Sequence, residues 1–161
     1  YAINAATGSL NWRFYAGGTS LEESCPAVSD SIVYVGGWYT IPNFNQKGSF
    51  YAVNINTGQL IWEKLANTGF GSSPSISDGR VYIAADDGNF YALDATTGTI
   101  LWKQLIYANG ASPAVYDGTV YVGGGGTSHI YAFDAISGVI KWEFPLKSLM
   151  ISTPIIIVQG S

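Results

Sequence analysis

The chain contains almost no cysteine or histidine: Cys25 and His129 are the only ones among its 161 residues. A single cysteine excludes an intrachain disulfide and leaves too few ligands for a cysteine-based zinc site. A single histidine excludes a multi-histidine metal site and argues against a catalytic triad. From the sequence we therefore assign no catalytic, cofactor-binding or metal-binding residue.

Charged residues are scarce as well, at 11% of the chain, with seven basic residues scattered singly and a net charge of −4. Contacts with nucleic acid or with an anionic membrane surface need clustered lysine and arginine, so we expect neither partner. The apolar stretch at residues 149–158 is interrupted by serine, threonine and proline. It is far shorter than the roughly 20 residues of a transmembrane helix, and no membrane span is expected.

Hydrophobic residues, glycine and aromatic residues are abundant. Hydrophobic residues make up 47% of the chain, which excludes a disordered tail or linker. The 20 glycines, 11 tyrosines and 5 tryptophans are typical of strands joined by tight turns, whereas a helical bundle would contain more alanine, glutamate and lysine. The composition predicts an all-β protein that is large enough to bury a core.

One pattern recurs four times along the chain: Tyr-Ala-x-(Asp/Asn)-x-x-(Thr/Ser)-Gly-x-x-x-Trp. The Asp or Asn can close a turn by accepting backbone hydrogen bonds, and the glycine supplies the positive φ that ends the hairpin. The tryptophan is large enough to pack between adjacent sheets. We expect structural roles for the four glycines and the four tryptophans, which are Gly8, Gly58, Gly98, Gly138, Trp12, Trp62, Trp102 and Trp142.

Two more strands complete each repeat. A small-Ser/Thr-Pro motif recurs around four prolines, and a Val-Tyr strand follows a tight turn in three of the repeats. Four antiparallel strands at a spacing of 40 residues predict the blades of a β-propeller. A β-sandwich also has short strands, but it does not require one pattern to recur at a fixed period. We expect one propeller segment over residues 1–161, with a partial blade at 1–15, blades at about 24–64, 73–103 and 112–144, and a closing inner strand at 152–158.

The repeated pattern resembles the tryptophan-docking motif of the pyrroloquinoline-quinone (PQQ)-type β-propeller repeat. Residues 112–123, Ser-Pro-Ala-Val-Tyr-Asp-Gly-Thr-Val-Tyr-Val-Gly, look like the first two strands of that repeat. The resemblance implies the fold but not one function. The same repeat builds quinoprotein alcohol and glucose dehydrogenases, the outer-membrane β-barrel assembly lipoprotein and sensor domains of bacterial kinases.

The terminal pieces supply the first, third and fourth strands of a fourth blade, but not its second strand. About nine residues are missing from a complete set of four blades, which is the length of one strand and its turn. The chain is then either a four-bladed propeller that lacks one strand or a segment of a larger ring. The second interpretation is favoured, since members of this family usually have more blades. Open blade edges of either kind also favour pairing with another chain, including self-association.

The candidate binding site lies on the face that carries the loops between second and third strands. Its longest loop, residues 36–48, contains a ten-residue insertion between Tyr34 and Tyr51. Aromatic side chains on such a loop can stack on a sugar, a peptide or a flat ring, or they can tuck under the loop as a small core of its own. The candidate partner-binding residues are Trp38, Tyr39, Asn43, Phe44, Phe70 and Tyr107.

Three other motifs on this face have simpler interpretations. Residues 86–89, Asp-Asp-Gly-Asn, lack the alternating ligands of a calcium loop and predict a hairpin turn. The four glycines at 123–126 lack the Lys-Ser/Thr and the helix of a phosphate cradle and predict a flexible turn. His129 is interpreted as a residue at a strand edge.

The favoured function is a non-catalytic binding or scaffold module, extracytoplasmic (periplasmic or secreted), that binds a protein, peptide or carbohydrate on the face of the 36–48 loop. No cofactor is expected for this function. The alternative is a fragment of a PQQ-dependent alcohol or glucose dehydrogenase, for which the resemblance implies PQQ, calcium, a catalytic aspartate and, in many members, a disulfide between adjacent cysteines. The single Cys25 excludes that disulfide here.

Overall fold

The computed structural model describes residues 1–17, 21, 24–41, 45–108, 110–148 and 152–157. Within these ranges the chain forms strands and turns and contains no helix. The described residues therefore include no helix that could span a membrane. The predicted all-β class is confirmed.

The described residues form one two-stranded and three four-stranded antiparallel sheets, and these sheets do not close into a ring. We call β1–β2 the partial blade, and β3–β6, β7–β10 and β11–β14 the first, second and third blades. Each blade follows chain order, so every connection inside it is a hairpin. The strands are β1 Ala2–Ile3, β2 Leu10–Trp12, β3 Ala27–Ser29, β4 Ile32–Ile41, β5 Asn45–Asn54, β6 Leu60–Ala66, β7 Ser75–Ser77, β8 Arg80–Ala84, β9 Asn89–Asp94, β10 Ile100–Leu105, β11 Ala114–Tyr116, β12 Thr119–Gly124, β13 His129–Asp134 and β14 Ile140–Pro145.

The core consists of apolar layers between successive blades. Tyr34, Phe50 and Trp62 of the first blade share one buried cluster with Val81 and Leu93 of the second. An equivalent cluster joins the second blade to the third, and a smaller one joins the partial blade to the first. Because the middle strands are buried on both sides, they have near-continuous apolar sequences.

The turn between third and fourth strands has the predicted construction in all four repeats. In the second blade, Asp94 Oδ1 accepts hydrogen bonds from the backbone N–H groups of Thr96 and Thr97 at 3.0 and 2.8 Å. The glycine that follows has a φ of +70°, as has its equivalent in every repeat. Equivalent bonds are accepted by Asn4, Asn54 and Asp134.

The predicted loop at residues 36–48 is largely a hairpin. β4 and β5 are each ten residues long and pair continuously from Ile32 opposite Asn54 to Ile41 opposite Asn45. The insertion therefore lengthens the two middle strands of the first blade. The physical reason is that an antiparallel ladder, once in register, continues as long as backbone partners are available on both sides.

The expected inner strand at residues 152–158 is not formed, since residues 152–157 have no strand pairing and residue 158 lies outside the described part. An inner strand pairs with the second strand of its own blade, as β11 pairs with β12. The described residues include no second strand that could pair with residues 152–157. Residues 154–157 lie instead beside Tyr121, Ile130 and Trp142 of the third blade.

Candidate functional site

The hairpin turns between second and third strands and the connections between blades lie on one face, which we call the crossing face. Backbone hydrogen bonds join these segments in sequence. The Phe70 N–H donates to the Gly37 carbonyl at 3.3 Å, and the Asp86 N–H donates to the Gly69 carbonyl at 2.9 Å. The connection between the first and second blades is therefore hydrogen-bonded to the hairpins of both blades that it joins.

Trp38 lies where the long hairpin meets the connection between the first and second blades. Its Cβ is so close to Gly69 that a Cβ added there would be 2.9 Å away. The indole Nε1 is buried, yet it has no hydrogen-bond partner among the described residues, and the same is true of the Thr68 hydroxyl. A buried polar group without a partner costs about 1–3 kcal/mol. Two such groups on adjacent segments mark a point where the folded chain offers hydrogen bonds that it does not use itself.

The carboxylate of Asp86 also lies at this junction. An added Cβ at Gly69 would lie 2.5 Å from Asp86 Oδ2. Gly69 thus separates the carboxylate from the Trp38 side chain, and the lack of a side chain there lets the two elements approach closely. We define Trp38, Thr68, Gly69 and Asp86 as the junction site.

Tyr107 occupies a different place on the crossing face, above the boundary between the second and third blades. Its backbone N–H donates to the Gly88 carbonyl at 2.8 Å, and its carbonyl accepts from the Gly126 N–H at 2.8 Å. Its φ is +51°, an unfavourable value for a residue with a side chain. The ring remains 50% exposed. The backbone is held in a strained conformation that keeps an aromatic ring at the surface.

Phe70, one of the predicted partner-binding residues, has a buried side chain. Its side chain is 1% exposed and lies in the core between the first two blades, with its ring centroid 5.6 Å from that of Phe50 and 6.5 Å from that of Tyr91. The connection that carries Phe70 turns this residue inward while its neighbour Thr68 is placed beside the hairpin.

The side chains of the other three predicted binding residues on the long hairpin are not described. Asn43 and Phe44 lie outside the described residues, and Tyr39 is described only by the position of its backbone in β4. The structure therefore brings Trp38 together with Thr68, a residue that the sequence analysis missed. It places Tyr107 over another pair of blades, and these two positions remain separate candidates.

Residues 86–89 form the predicted hairpin turn. Asp87 Oδ1 accepts from the Asn89 N–H at 2.8 Å, and Asp87 Oδ2 accepts from the Tyr91 hydroxyl at 2.6 Å. Burial raises the pKa of Tyr91, and the hydrogen bond to the Asp87 carboxylate raises that pKa further. The carboxylate has a structural role here, because it orders the turn and pairs with a buried phenol.

The glycine run and His129 also have local partners. Residues 123–124 belong to β12, and the turn that follows is closed by the Thr127 and Ser128 N–H groups, both of which donate to the Gly124 carbonyl. His129 begins β13, where its Nδ1 lies 2.6 Å from the Thr127 carbonyl oxygen and its ring stacks on Tyr131. Both positions are parts of a hairpin.

A second feature missed by the sequence analysis is a cleft of about 350 Å³ beside the junction site, between the first and second blades. It is lined by Lys47, Lys64, Asp87 and Tyr91, among others. These residues come from different strands and turns of two blades, so no local signal in the sequence predicts the cleft. Lys64 lies opposite Phe50 in the pairing of β5 with β6.

The described residues do not fit a quinone-and-calcium centre. No three histidine, cysteine, aspartate or glutamate side chains within them form a group that would hold a metal ion. Asp87 is committed to Tyr91 and to its own turn. The vicinal disulfide is excluded by the single Cys25, which is a free thiol.

Comparison with solved structures places the chain among β-propellers. It superimposes on BamB from Moraxella catarrhalis with a TM-score of 0.63 and 21% identity, over 76% of this chain and 36% of that one. It superimposes on the quinohemoprotein alcohol dehydrogenase from Comamonas testosteroni with a TM-score of 0.64 and 27% identity, over 84% of this chain and 22% of that one. It superimposes on the computationally designed Ika4 protein with a TM-score of 0.69 and 18% identity, over 90% of this chain and 85% of that one. The chain thus spans about a third of the BamB structure and less than a quarter of the dehydrogenase.

No curated protein matches the chain. The family described as "Outer membrane protein assembly factor BamB" matches residues 1–148, which is most of the sequence and includes all four copies of the repeated pattern. The resemblance to the PQQ-type repeat is confirmed. The chain therefore belongs to the BamB family of PQQ-type β-propellers.

Proposed function

We propose that the chain is a non-catalytic binding and scaffold module that holds a segment of a protein partner at the junction site of the crossing face. The observation that carries the proposal is the pair of buried polar groups, Trp38 Nε1 and the Thr68 hydroxyl, that lack a partner among the described residues. A bound segment that displaced the side chains covering these two groups would satisfy them and thus remove a cost that the free module bears. Burial of donors on a rigid frame is typical of sites that select a partner by hydrogen bonding.

The chemistry of the two groups favours a peptide. An indole N–H can only donate, so its partner must be an acceptor such as a backbone carbonyl. A hydroxyl both donates and accepts, so Thr68 suits the N–H or the carbonyl of the same segment. Carbohydrate hydroxyls also accept, and the test below separates the two ligand classes.

The scaffold part of the proposal rests on the tryptophans. Trp12, Trp62 and Trp102 each lie against the next blade, where their indole Nε1 atoms donate to a backbone carbonyl at 2.6, 3.0 and 3.1 Å. We propose that this docking keeps the blades, and with them the crossing face, in fixed relation. The family description as an outer-membrane assembly factor supports an extracytoplasmic, periplasmic location and protein partners.

The test removes one hydrogen-bonding group at a time. Trp38→Phe keeps an aromatic ring but deletes the N–H, and Thr68→Val deletes the hydroxyl with little change of shape. Matched controls are Trp142→Phe and Thr96→Val, which make the same changes at exposed positions away from the junction site. The probes are synthetic peptides tiled across the periplasmic parts of the outer-membrane assembly machinery, with neutral oligosaccharides in parallel, read by fluorescence polarisation.

We expect a peptide that binds the parent and both controls but binds Trp38→Phe and Thr68→Val about tenfold or more weakly, the effect of one lost hydrogen bond. The two site variants should unfold at the same denaturant concentration as the parent or higher, because each deletes a group that has no hydrogen-bond partner among the described residues. Binding that is unchanged in both site variants would contradict the junction site. Binding of oligosaccharides alone would contradict a protein partner.

The dehydrogenase alternative is supported by the 27% identity to the quinohemoprotein alcohol dehydrogenase. It is tested by incubating the protein with PQQ and calcium and following dye reduction with alcohols and aldoses. Quinone binding with turnover would favour this alternative over the proposal above.

A further inference from the structure

The cleft between the first and second blades carries two cations that the described chain does not pair. Lys47 and Lys64 line it, and neither forms a hydrogen bond or an ion pair with a described residue. Lys141, by contrast, donates to the Thr119 hydroxyl at 2.8 Å and lies 3.7 Å from the Asp134 carboxylate. The positive charges of the cleft are therefore available to a ligand.

The carboxylate in the cleft is already engaged. Asp87 accepts hydrogen bonds from the Asn89 N–H at 2.8 Å and from the Tyr91 hydroxyl at 2.6 Å, one on each oxygen. Two lysines and one aspartate among the lining residues give the cleft a charge of +1, in a chain whose net charge is −4. A local positive charge on an acidic molecule favours an anionic ligand at that place.

The walls of the cleft also include apolar side chains that are open to solvent. Leu65 is 64% exposed and Ile100 is 42% exposed. Lys64 is half-buried between them and the blade, and partial burial strengthens its attraction for an anion because less water screens the charge. The cleft therefore suits a ligand that combines a negative charge with an apolar group.

The cleft is continuous along the chain with the junction site. Asn67 and Asp87 line the cleft, and their sequence neighbours Thr68 and Asp86 belong to the junction site. Successive residues of an extended peptide advance by about 3.3 Å. A segment that is hydrogen-bonded at the junction site thus reaches the cleft within a few residues.

We propose that the partner segment bound at the junction site carries an acidic side chain, aspartate or glutamate, that lies in the cleft beside Lys47 and Lys64. The inference rests on the proposed function and adds the chemical class of the segment. An ammonium group forms charge-assisted hydrogen bonds with a carboxylate, which are stronger than those with a neutral polar side chain. Leu65 and Ile100 favour an apolar residue next to the acidic one.

The probe is a library of short random peptides displayed on phage and selected on the immobilised protein. Display joins the C-terminus of each peptide to the coat protein, so a selected carboxylate belongs to a side chain. The library is first cleared on the double variant Trp38→Phe/Thr68→Val, which removes peptides that bind elsewhere on the molecule. The remaining pool then reports on the junction site and the surface next to it.

Four variants separate the charge of the cleft from the charge of the whole chain. Lys47→Gln and Lys64→Gln each remove one cation, and Lys64→Glu reverses the charge at the half-buried position. Lys103→Gln is the matched control, because it makes the same change of net charge at an exposed position on β10 that does not line the cleft.

Selection on the parent and on Lys103→Gln should enrich peptides that contain aspartate or glutamate next to an apolar residue. Selection on Lys64→Glu should lose this preference and enrich lysine or arginine instead. A peptide selected on the parent should bind Lys47→Gln and Lys64→Gln about fivefold or more weakly. The difference from the parent should shrink as the salt concentration rises.

The two possible failures are distinguishable. If no peptide remains after the clearing step, the proposed function fails and this inference fails with it. If peptides remain but are not enriched in acidic residues, or if they bind all the lysine variants as tightly as the parent, the junction site stands and the acidic segment is overturned.

Discussion

Three of the four repeat tryptophans, Trp12, Trp62 and Trp102, each pack against a glycine of the next repeat. The ring atoms of Trp62 would be 2.7 Å from a Cβ at Gly98, which is closer than non-bonded carbons approach each other. Gly98 therefore meets two requirements at once, a positive φ for its own turn and room for an indole from the neighbouring blade. The second requirement is a tertiary contact, and it explains why the glycine and the tryptophan recur together.

The two requirements can be separated by a pair of substitutions. Gly79→Ala imposes a positive φ on alanine in open space and should cost about 1–2 kcal/mol. Gly98→Ala has the same φ of +70° but also pushes against Trp62, which should add about 1–3 kcal/mol of overpacking. Equilibrium unfolding in urea measures both. Equal losses in the two variants would mean that the indole does not press on the turn.

The Asx turns should also make stability depend on pH. The pKa of Asp94 is lowered by hydrogen bonds from the Thr97 N–H and hydroxyl, and the pKa of Asp134 is lowered in the same way by Ser137. A lowered pKa in the folded state means stability that is present above the pKa of the unfolded chain, about 3.9, and is lost as the pH falls through the folded value.

The first two repeats supply the control for this effect, since they have asparagine at the same position and make the same bonds without titrating. The double variant Asp94→Asn/Asp134→Asn should therefore lose less stability than the parent between about pH 5 and pH 2. Urea midpoints measured across that range test the expectation. Parallel pH profiles for the variant and the parent would contradict it.

At the scale of elements, an inner strand forms only where its second strand is present. β11 pairs with β12, whereas residues 152–157, which carry the equivalent motif, have no second strand and remain unpaired. Amide hydrogen exchange at low protein concentration should show slow exchange in β8, β9, β12 and β13, protection in β11, and fast exchange at residues 152–157. Protection of residues 152–157 equal to that of β11 would show that the segment pairs after all.

The elements that the sequence predicts correctly are those that the repeat encodes locally. Strand alternation, the Asx residue and the turn glycine act within a few neighbours, so the hairpin at Asp94 to Gly98 can be inferred without knowledge of the rest of the chain. For residues 36–48 the sequence predicts a loop, because glycine and polar residues interrupt the alternation of a strand. The structure instead has a hairpin with ten paired positions, because β5 continues opposite β4. That pairing involves two separate segments, so no local sequence pattern predicts it.

The candidate site was predicted less well, because exposure on the crossing face depends on the neighbouring blade. Phe70 and Thr68 are two residues apart in one connection, and only packing against the second blade decides that Phe70 is in the core. Likewise, no local pattern states that the Trp38 indole is buried without a hydrogen-bond partner among the described residues. The sequence identified Trp38 and Tyr107 by residue type and position, and the geometry assigned them to separate places.

At the scale of the whole molecule, the chain is a series of sheets whose order is maintained by contacts between neighbours. Buried clusters lie between successive blades, and the apolar side chains of Trp142 and Phe144 remain exposed on the other side of the third blade. Stability should then come from boundaries between blades as much as from the blades themselves, as in other repeat proteins. A blade that has a neighbour on only one side contributes a single boundary.

The most direct test compares Trp102→Ala with Trp142→Ala by equilibrium unfolding in urea, at concentrations low enough for the protein to be monomeric. The two tryptophans share one motif position, but Trp102 docks on the third blade and Trp142 has no described blade to dock on. We predict that Trp102→Ala lowers the free energy of unfolding by about 3–5 kcal/mol and that Trp142→Ala lowers it by less than about 1 kcal/mol. Equal losses, or an unchanged midpoint for Trp102→Ala, would contradict the claim that docking between blades holds this propeller together.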